Sequence, residues 1–251
     1  MESRARRPPC PARPSAEASP RGRRRTQPRE RGPRPRGRDY ARSRTRATPH
    51  VRSCRFRGIA DTSNRPYYVP VILGTPRKGR MSEHAARVVL SEVERRQGVE
   101  TELIDVALLP IPVDDAGEQA KDPVFADAMN RADALILVTP EYNRGYPGML
   151  KHVLDTNLKE YIHKAVGVVG VSAGIFGGAR VIENMLPVLR ELGFVTIFWD
   201  VNFNNVRSRF DDDGTLVDDS FLAVDKFLDE LLWMAETLRY GRERVTLGGS
   251  G

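Results

Sequence analysis

Short apolar runs alternate with longer segments of helical periodicity from residue 67 onward. The apolar runs predict five β-strands, at about Tyr68–Leu73, Thr101–Val106, Ala134–Thr139, Ala165–Val171 and Phe194–Trp199. Amphipathic segments predict helices at about Ser82–Gln97, Pro123–Arg131, Gly148–Asn157, from Gly178 to Leu192 and Ser220–Arg239. This alternation is typical of βαβ units and predicts an α/β fold around a mostly parallel sheet.

Three of the predicted strands end in loops of unusual composition: residues 74–82 (the first loop, which includes the first helical residue), 140–147 (the second loop) and 172–178 (the third loop). In open parallel α/β sheets, ligands bind at the carboxyl ends of the strands. By analogy, we expect a doubly wound, three-layer α/β/α fold with the flavodoxin strand order 2-1-3-4-5. Strands one, three and four would then be neighbours, and the three loops would converge on one site.

The first loop carries hydroxyl and cationic groups in front of a helix. The Thr75 and Ser82 hydroxyls, the Arg77 guanidinium and the N–H groups at the helix start predict a phosphate site. Gly74 and Gly79 permit close approach by the backbone. The alternative is that Ser82 only caps the helix and that Arg77 is solvated.

The composition of the chain changes near residue 66. Residues 1–66 hold 20 Arg and 10 Pro but neither Lys nor Leu, and with 5 acidic residues their net charge is +15. Because the whole chain carries +7, residues 67–251 carry −8. We therefore expect a disordered extension at 1–66, one folded domain at 67–240 and a flexible C-terminus at 241–251.

The arginine-rich extension has three possible interpretations. It could bind nucleic acid, act as a targeting peptide, or be a non-functional upstream extension. A targeting peptide needs an amphipathic apolar face, which the segment lacks. The third interpretation is favoured, because Arg, Pro, Gly and Ala are the residues that GC-rich DNA encodes. Nucleic acid is therefore an unlikely partner, and any such contact would involve the extension alone.

The cysteines, histidines and apolar runs exclude several kinds of site and several classes of protein. Cys10 and Cys54 both lie in the extension, so the folded part has no disulfide framework or thiolate metal site. The histidines of the folded part show no ligand spacing, and no metal site is expected. No apolar run reaches the roughly 18 residues of a membrane span. We expect a soluble, cytoplasmic protein.

The three loops resemble the NAD(P)H-dependent FMN reductase family of flavodoxin-like proteins. The resemblance covers about residues 69 to 235 and rests on three motifs. These are Gly74-Thr75-Pro76-Arg77 with Ser82, Pro140-Glu141-Tyr142-Asn143 with Pro147-Gly148 and Leu150-Lys151, and Ser172-Ala173-Gly174 with Gly177-Gly178. Thr75 stands where the family usually has Ser, and the hydroxyl is kept. Three such motifs in the right order at strand ends are specific.

The resemblance implies which residues bind the cofactors. The implied FMN-binding residues are Gly74, Thr75, Arg77, Ser82, Pro140, Glu141, Tyr142, Asn143, Ser172, Ala173, Gly174, Gly177 and Gly178. The second loop would lie along the isoalloxazine ring, and the glycines of the third loop would let its backbone approach the ring. Arg144, Tyr146 and Phe176 would meet NAD(P)H or the substrate. The alternatives are an ordinary turn with packed tyrosines and a tight glycine turn.

The activity implied by the resemblance is hydride transfer from NADPH or NADH to bound FMN. Two electrons then pass to a small acceptor such as a quinone, an azo compound, free flavin or a metal oxyanion. The flavin carries the chemistry, so no catalytic side chain is expected. The alternative is a flavodoxin-type electron carrier without NAD(P)H turnover. A homodimer or homotetramer is expected, with contacts through the helices that begin at Gly148 and Gly178.

Overall fold

The computed structural model describes residues 65–112, 120–218 and 222–246. The strands are β1 (Tyr67–Tyr68), β2 (Val71–Leu73), β3 (Val99–Glu100), β4 (Leu103–Asp105), β5 (Ala134–Pro140), β6 (Ala165–Val171), β7 (Val195–Thr196) and β8 (Val201–Phe203). The helices are α1 (Ser82–Glu94), α2 (Pro123–Arg131), α3 (Gly148–Asp155), α4 (Ala179–Glu191) and α5 (Val224–Arg244). The predicted disorder of the extension concerns residues that, up to 64, lie outside the described ones.

The strands pair in parallel, and the main sheet has the order β4-β2-β5-β6-β7, with β8 also beside β6. β1 and β3 form a separate parallel pair just before β2 and β4. The first, second and fifth strands are therefore each divided into two segments: β1 with β2, β3 with β4, and β7 with β8. Of these segments, β3 and β8 lie outside the predicted bounds. The order of the five strands is 2-1-3-4-5, and the predicted fold class is confirmed.

Helices cover both faces of the sheet, because side chains of the central strands alternate between two apolar clusters. Ile136 and Val138 of β5 pack on one side with residues of α1 and α5. Leu135 and Leu137 pack on the other side with residues of α2, α3 and α4. All four side chains are fully buried. The result is the expected three-layer arrangement.

The predicted strand Phe194–Trp199 is wrong in its second half. After β7, the Ile197 N–H still donates to the Val166 carbonyl of β6 at 3.1 Å, residues 198–200 leave the sheet, and the chain rejoins β6 at β8. The N–H groups of Phe198 and Trp199 each donate to the Glu230 carboxylate at 3.0 Å, so they are not available to the sheet. Phe198 is 81% exposed. The apolar run that predicted the fifth strand is in part an exposed loop.

Three helix ends also differ from the prediction by three residues or more. α1 ends at Glu94 instead of Gln97, and α5 begins at Val224 instead of Ser220. α5 also continues to Arg244, so the predicted flexible C-terminus is corrected for residues 241–244. Within α5, Arg242 donates to the His163 carbonyl at 2.6 Å. This contact anchors the last turns of the helix to the rest of the protein.

A buried ionic cluster lies at the amino end of β5. Asp133 is 0% exposed and accepts hydrogen bonds from Arg65 (2.9 and 2.9 Å), Arg239 (3.0 and 2.7 Å), Arg242 (3.2 Å) and the N–H of Tyr68 (3.1 Å). Burial alone would raise the pKa of Asp133, but the hydrogen bonds from Arg65 and Arg239 outweigh burial and hold this pKa below its usual value. The Asp133 carboxylate thus forms ion pairs with three arginines.

Arg65 and Pro66 contact the folded part, although the composition assigns them to the extension. Their carbonyl oxygens accept hydrogen bonds from Arg239 at 3.2 and 2.9 Å. The contacts of Arg65 with Asp133 and Arg239 therefore join the ionic cluster to the chain that precedes β1. The domain boundary at residue 66 stays a prediction.

Among the described residues, no helix has the length and apolar character needed to cross a bilayer. In the same part of the chain, no group of three or more His, Cys, Asp or Glu side chains is arranged to hold a metal ion.

Candidate functional site

The three loops meet at the carboxyl edge of the sheet. Their parent strands β2, β5 and β6 are direct neighbours. The Thr75 hydroxyl of the first loop lies 3.2 Å from the Tyr142 hydroxyl of the second loop. The N–H of Glu141 in the second loop donates to the carbonyl of Val171, the last residue before the third loop, at 2.9 Å. The structure thus brings the predicted site residues into one group.

The first loop contains two buried hydroxyl groups. Thr75 and Ser82 are 1% and 2% exposed. Ser82 is the first residue of α1, and among the described residues its Oγ has no hydrogen-bond partner. The N-cap residue is Met81, which makes no side-chain cap, so the alternative that Ser82 serves only as a cap is wrong. A buried hydroxyl without a partner calls for an explanation, and a phosphate at this helix start would satisfy it.

Glycine is required at the start of the first loop. A Cβ atom on Gly74 would lie 2.8 Å from Leu150 Cδ2 and 3.1 Å from the Val138 carbonyl oxygen. The Gly74 N–H donates to the same carbonyl at 2.9 Å. Close packing against β5 and α3 therefore fixes where the loop leaves the sheet. Gly79, by contrast, takes a positive φ of 65° with open space around it.

Two arginines of the first loop have different surroundings. Arg80 pairs with Asp105 at the end of β4 and donates to the Thr75 carbonyl, so it holds the loop backbone in place. Arg77 is exposed and makes no ion pair with the described residues, and its guanidinium lies 5.7 Å from the centre of the Tyr142 ring. Arg77 is therefore available to an anionic ligand. Sequence reasoning missed Arg80 and Asp105, although Asp105 is a polar residue at a strand end.

The second loop contains a tight turn. Tyr142 and Gly145 exchange two backbone hydrogen bonds of 2.9 Å, and the two residues between them, Asn143 and Arg144, have φ of 51° and 68°. Positive φ is uncommon for residues other than glycine and is often found at functional sites. Both side chains are exposed at this turn. Tyr146 is half-buried and packs against the core, as the packing alternative predicts.

Helix α4 holds the second loop from the side. Arg180 donates to Glu141 Oε1 at 2.9 Å, and Asn184 donates to the Arg144 carbonyl at 2.5 Å. The other oxygen of Glu141 is buried and has no partner among the described residues. The Arg180 guanidinium also lies 4.3 Å from the centre of the Phe176 ring in the third loop. Sequence reasoning missed Arg180 and Asn184, and the only signal was the position of Arg180 just after a glycine pair.

The third loop packs tightly against its own strand at one end and is open at the other. Gly178 has φ 84°, and a Cβ atom there would lie 2.7 Å from the Val171 nitrogen. Gly177 has φ 58° and is also crowded. At Gly174, a Cβ atom would meet nothing within 4 Å. The glycine pair therefore serves the fold, whereas the Gly174 backbone faces open space where a flat ligand would fit.

The remaining residues of the third loop are accessible from outside. The Ser172 hydroxyl donates to the Gly174 carbonyl at 3.0 Å, and the Asn205 N–H donates to the same carbonyl at 2.9 Å. Ala173 is exposed, and Phe176 is 55% exposed. The loop is thus held by Asn205, which follows β8, while its tip stays open to a ligand.

These features fit FMN. The Ser82 hydroxyl, the Thr75 hydroxyl and Arg77 suit a phosphate, and the open space at Gly174 beside the second loop suits a flat ring. The assignment of individual residues to FMN or NAD(P)H stays a prediction.

Comparison with known proteins gives consistent results. The family model described as NADPH-dependent FMN reductase matches residues 68–207, more than half of the chain. The chain is 34% identical over 120 residues to a quinone reductase from Pseudomonas putida, covering 45% of this chain and 63% of that protein, less than two thirds of its length. It is 29% identical over 173 residues to another quinone reductase from Pseudomonas putida, covering 65% of this chain and 92% of that protein.

A solved structure is also similar. FerB, a flavoenzyme NAD(P)H:(acceptor) oxidoreductase from Paracoccus denitrificans, shares 28% sequence identity with a TM-score of 0.57. The match covers 67% of this chain and 98% of that one. All three loops lie inside the segment that the family model matches, and the predicted resemblance is confirmed. The chain belongs to the NADPH-dependent FMN reductase family.

Proposed function

We propose that this protein is an FMN-dependent oxidoreductase that uses NAD(P)H to reduce a small acceptor. The observation that carries the proposal is the buried, unpartnered Ser82 hydroxyl, which lies at the start of α1 in a member of a flavin reductase family. Relatives named quinone reductase and NADPH azoreductase support quinones and azo compounds as acceptors. Free flavin and metal oxyanions belong to the same proposal.

Each loop has a separate task in this proposal. Thr75, Ser82 and Arg77 hold the phosphate at the start of α1, where the helix dipole favours an anion. The backbone of residues 140–143 and of residues 172–174 lies against the ring, and the N–H groups of Asn143, Ala173 and Gly174 are available to its polar edge. Arg144 is exposed beside this edge and is suited to the phosphates of NADPH.

Bound FMN supplies the redox chemistry by accepting a hydride from NAD(P)H and passing two electrons to the acceptor. The protein supplies position and electrostatics. Tyr142 ties the second loop to the first through the Thr75 hydroxyl, and α4 fixes the other side of the same turn. Because the loops are held by their own contacts, the site needs little rearrangement to receive a flat cofactor.

The protein, purified and reconstituted with FMN, is expected to be yellow and to lose this colour under anaerobic conditions when NADPH is added. A quinone added next should restore the colour in a two-electron stoichiometry, because the same site serves donor and acceptor. The measurement is the visible spectrum of bound FMN during both additions, repeated with NADH. Colour that persists with both nucleotides would favour an electron carrier, and failure to bind FMN would contradict both functions.

The proposal includes a homodimer or homotetramer formed through the faces of α3 and α4 next to the site. Exposed apolar side chains at Ile175 and Phe176, which are 70% and 55% exposed, adjoin this surface. Sedimentation that shows only monomers at working concentration would count against it.

A further inference from the structure

The contact between α4 and the second loop assigns a role to a residue that no loop motif contains. We propose that Arg180 is a positioning residue that neutralises Glu141 and so raises the reduction potential of FMN bound at the candidate site. This inference rests on the proposed function. It concerns the reduction potential of the bound flavin. The electron donor and the electron acceptor stay as proposed above.

The Glu141 carboxylate is a negative charge held close to the proposed ring site. Its side chain is only 10% exposed, and it directly follows β5, in the loop that would lie along the ring. One carboxylate oxygen accepts from Arg180 at 2.9 Å, while the other is buried without a partner among the described residues. Arg180 is therefore the cation that balances this charge, and without it the carboxylate would be buried and uncompensated.

The position of Arg180 is defined by two contacts. Its guanidinium pairs with Glu141 of the second loop and lies 4.3 Å from the centre of the Phe176 ring in the third loop. The side chain is still 40% exposed, so solvent screens part of its charge. The Glu141 N–H donates to the Val171 carbonyl at 2.9 Å, which fixes the backbone that carries the carboxylate.

Reduction of the flavin adds negative charge to the ring. An unbalanced carboxylate nearby opposes this addition, and a balanced one does not. Loss of Arg180 should therefore weaken the binding of reduced FMN more than the binding of oxidised FMN. Loss of the Glu141 charge should have the opposite effect, because Arg180 would then remain as a net positive charge.

The test is a double-mutant cycle of Arg180→Ala, Glu141→Gln and the combined variant, with the reduction potential of bound FMN as the readout. Arg180→Ala should reduce the affinity for reduced relative to oxidised FMN about tenfold, which lowers the potential by about 30 mV for a two-electron couple. Glu141→Gln should raise the potential, and the combined variant should return close to wild type. Arg190→Ala, an 85% exposed site at the other end of α4, is the matched control and should change nothing. Single variants that shift the potential in the same direction, or not at all, would overturn the proposal.

A comparison of Asn184→Ala with Arg180→Ala separates the effect of the Arg180 charge from the effect of holding the turn in position. Asn184→Ala releases the Arg144 carbonyl without removing a charge, so it should weaken both redox forms of FMN equally and leave the potential unchanged. In the protein without cofactor, Arg180→Ala and Asn184→Ala should both speed hydrogen exchange at the Tyr142 and Gly145 amides, and Arg190→Ala should not. Unchanged exchange in Arg180→Ala would show that Arg180 does not position the turn.

The outcomes also distinguish this inference from the proposed function. A wild-type protein that binds no FMN overturns both. A wild-type protein that binds FMN and is bleached by NADPH, with variants of unchanged potential, overturns only the role of Arg180.

Discussion

Replacing Asp133 by asparagine is expected to lower the free energy of unfolding by about 3–5 kcal/mol, the cost typical of breaking a buried ion pair by removing one partner. Asparagine has almost the same shape but carries no charge. Arg239, whose side chain is 3% exposed, would then lose its buried ion pair with Asp133, and Arg65 and Arg242 would lose the same partner. The measurement is urea-induced unfolding near neutral pH.

The matched control is Asp127→Asn. Asp127 also pairs with an arginine, Arg131, but its side chain is 70% exposed, so the loss should be no more than about 0.5 kcal/mol. If both substitutions cost the same small amount, the ionic cluster does not stabilise the fold.

The effect of Asp133→Asn should depend on pH in a defined direction. Because the folded protein holds the pKa of Asp133 below that of the unfolded chain, its stabilisation is fully present above the unfolded value of about 3.9. It is lost as the pH falls from there through the folded pKa. Wild type and variant should therefore converge in stability in acid, below about pH 4.

Replacing Ser82 by alanine should weaken the binding of FMN without destabilising the cofactor-free protein. In the proposed site, the Ser82 hydroxyl donates to the FMN phosphate. A hydrogen bond to a charged group is worth about 1.5–3 kcal/mol, which corresponds to roughly 10- to 150-fold in affinity. Without a ligand the hydroxyl is buried and unpartnered. Its removal should therefore leave the stability of the cofactor-free protein unchanged or raise it by about 1 kcal/mol.

FMN affinity is measured by titration of flavin fluorescence, and stability by thermal unfolding without FMN. Ser91→Ala is the control on the same helix, because the Ser91 hydroxyl donates to the Val88 carbonyl at 2.9 Å, away from the loop. It should leave FMN affinity as in wild type. A Ser82→Ala protein with wild-type affinity would remove the main support for the phosphate site.

The sequence was sufficient to predict the sheet and the position of the site. Runs such as Ala165–Val171 are buried along their whole length, as expected of central strands, and the strand order followed by analogy with flavodoxin-like sheets. The loops were recognisable because hydroxyl, cationic and glycine residues directly follow these strands. Local sequence carries both signals.

The contacts that hold the site together could not be predicted in the same way. Arg180 reaches Glu141 across 39 positions, and Arg80 reaches Asp105 across 25. Each pair depends on how two elements pack, and many other charged pairs would have been equally compatible with the pattern. The break in the fifth strand has the same cause, since it depends on Glu230, 31 positions after Trp199.

The ionic cluster and the candidate site lie at opposite ends of β5. Asp133 comes directly before this seven-residue strand and Glu141 directly after it, which separates them by about 25 Å at roughly 3.3 Å per residue. At such distances the energetic effects of substitutions usually add independently. Substitutions in the loops that broaden the range of proposed acceptors could therefore lower the stability of the fold without disturbing the ionic cluster. Stabilising substitutions around Asp133 could then offset that loss.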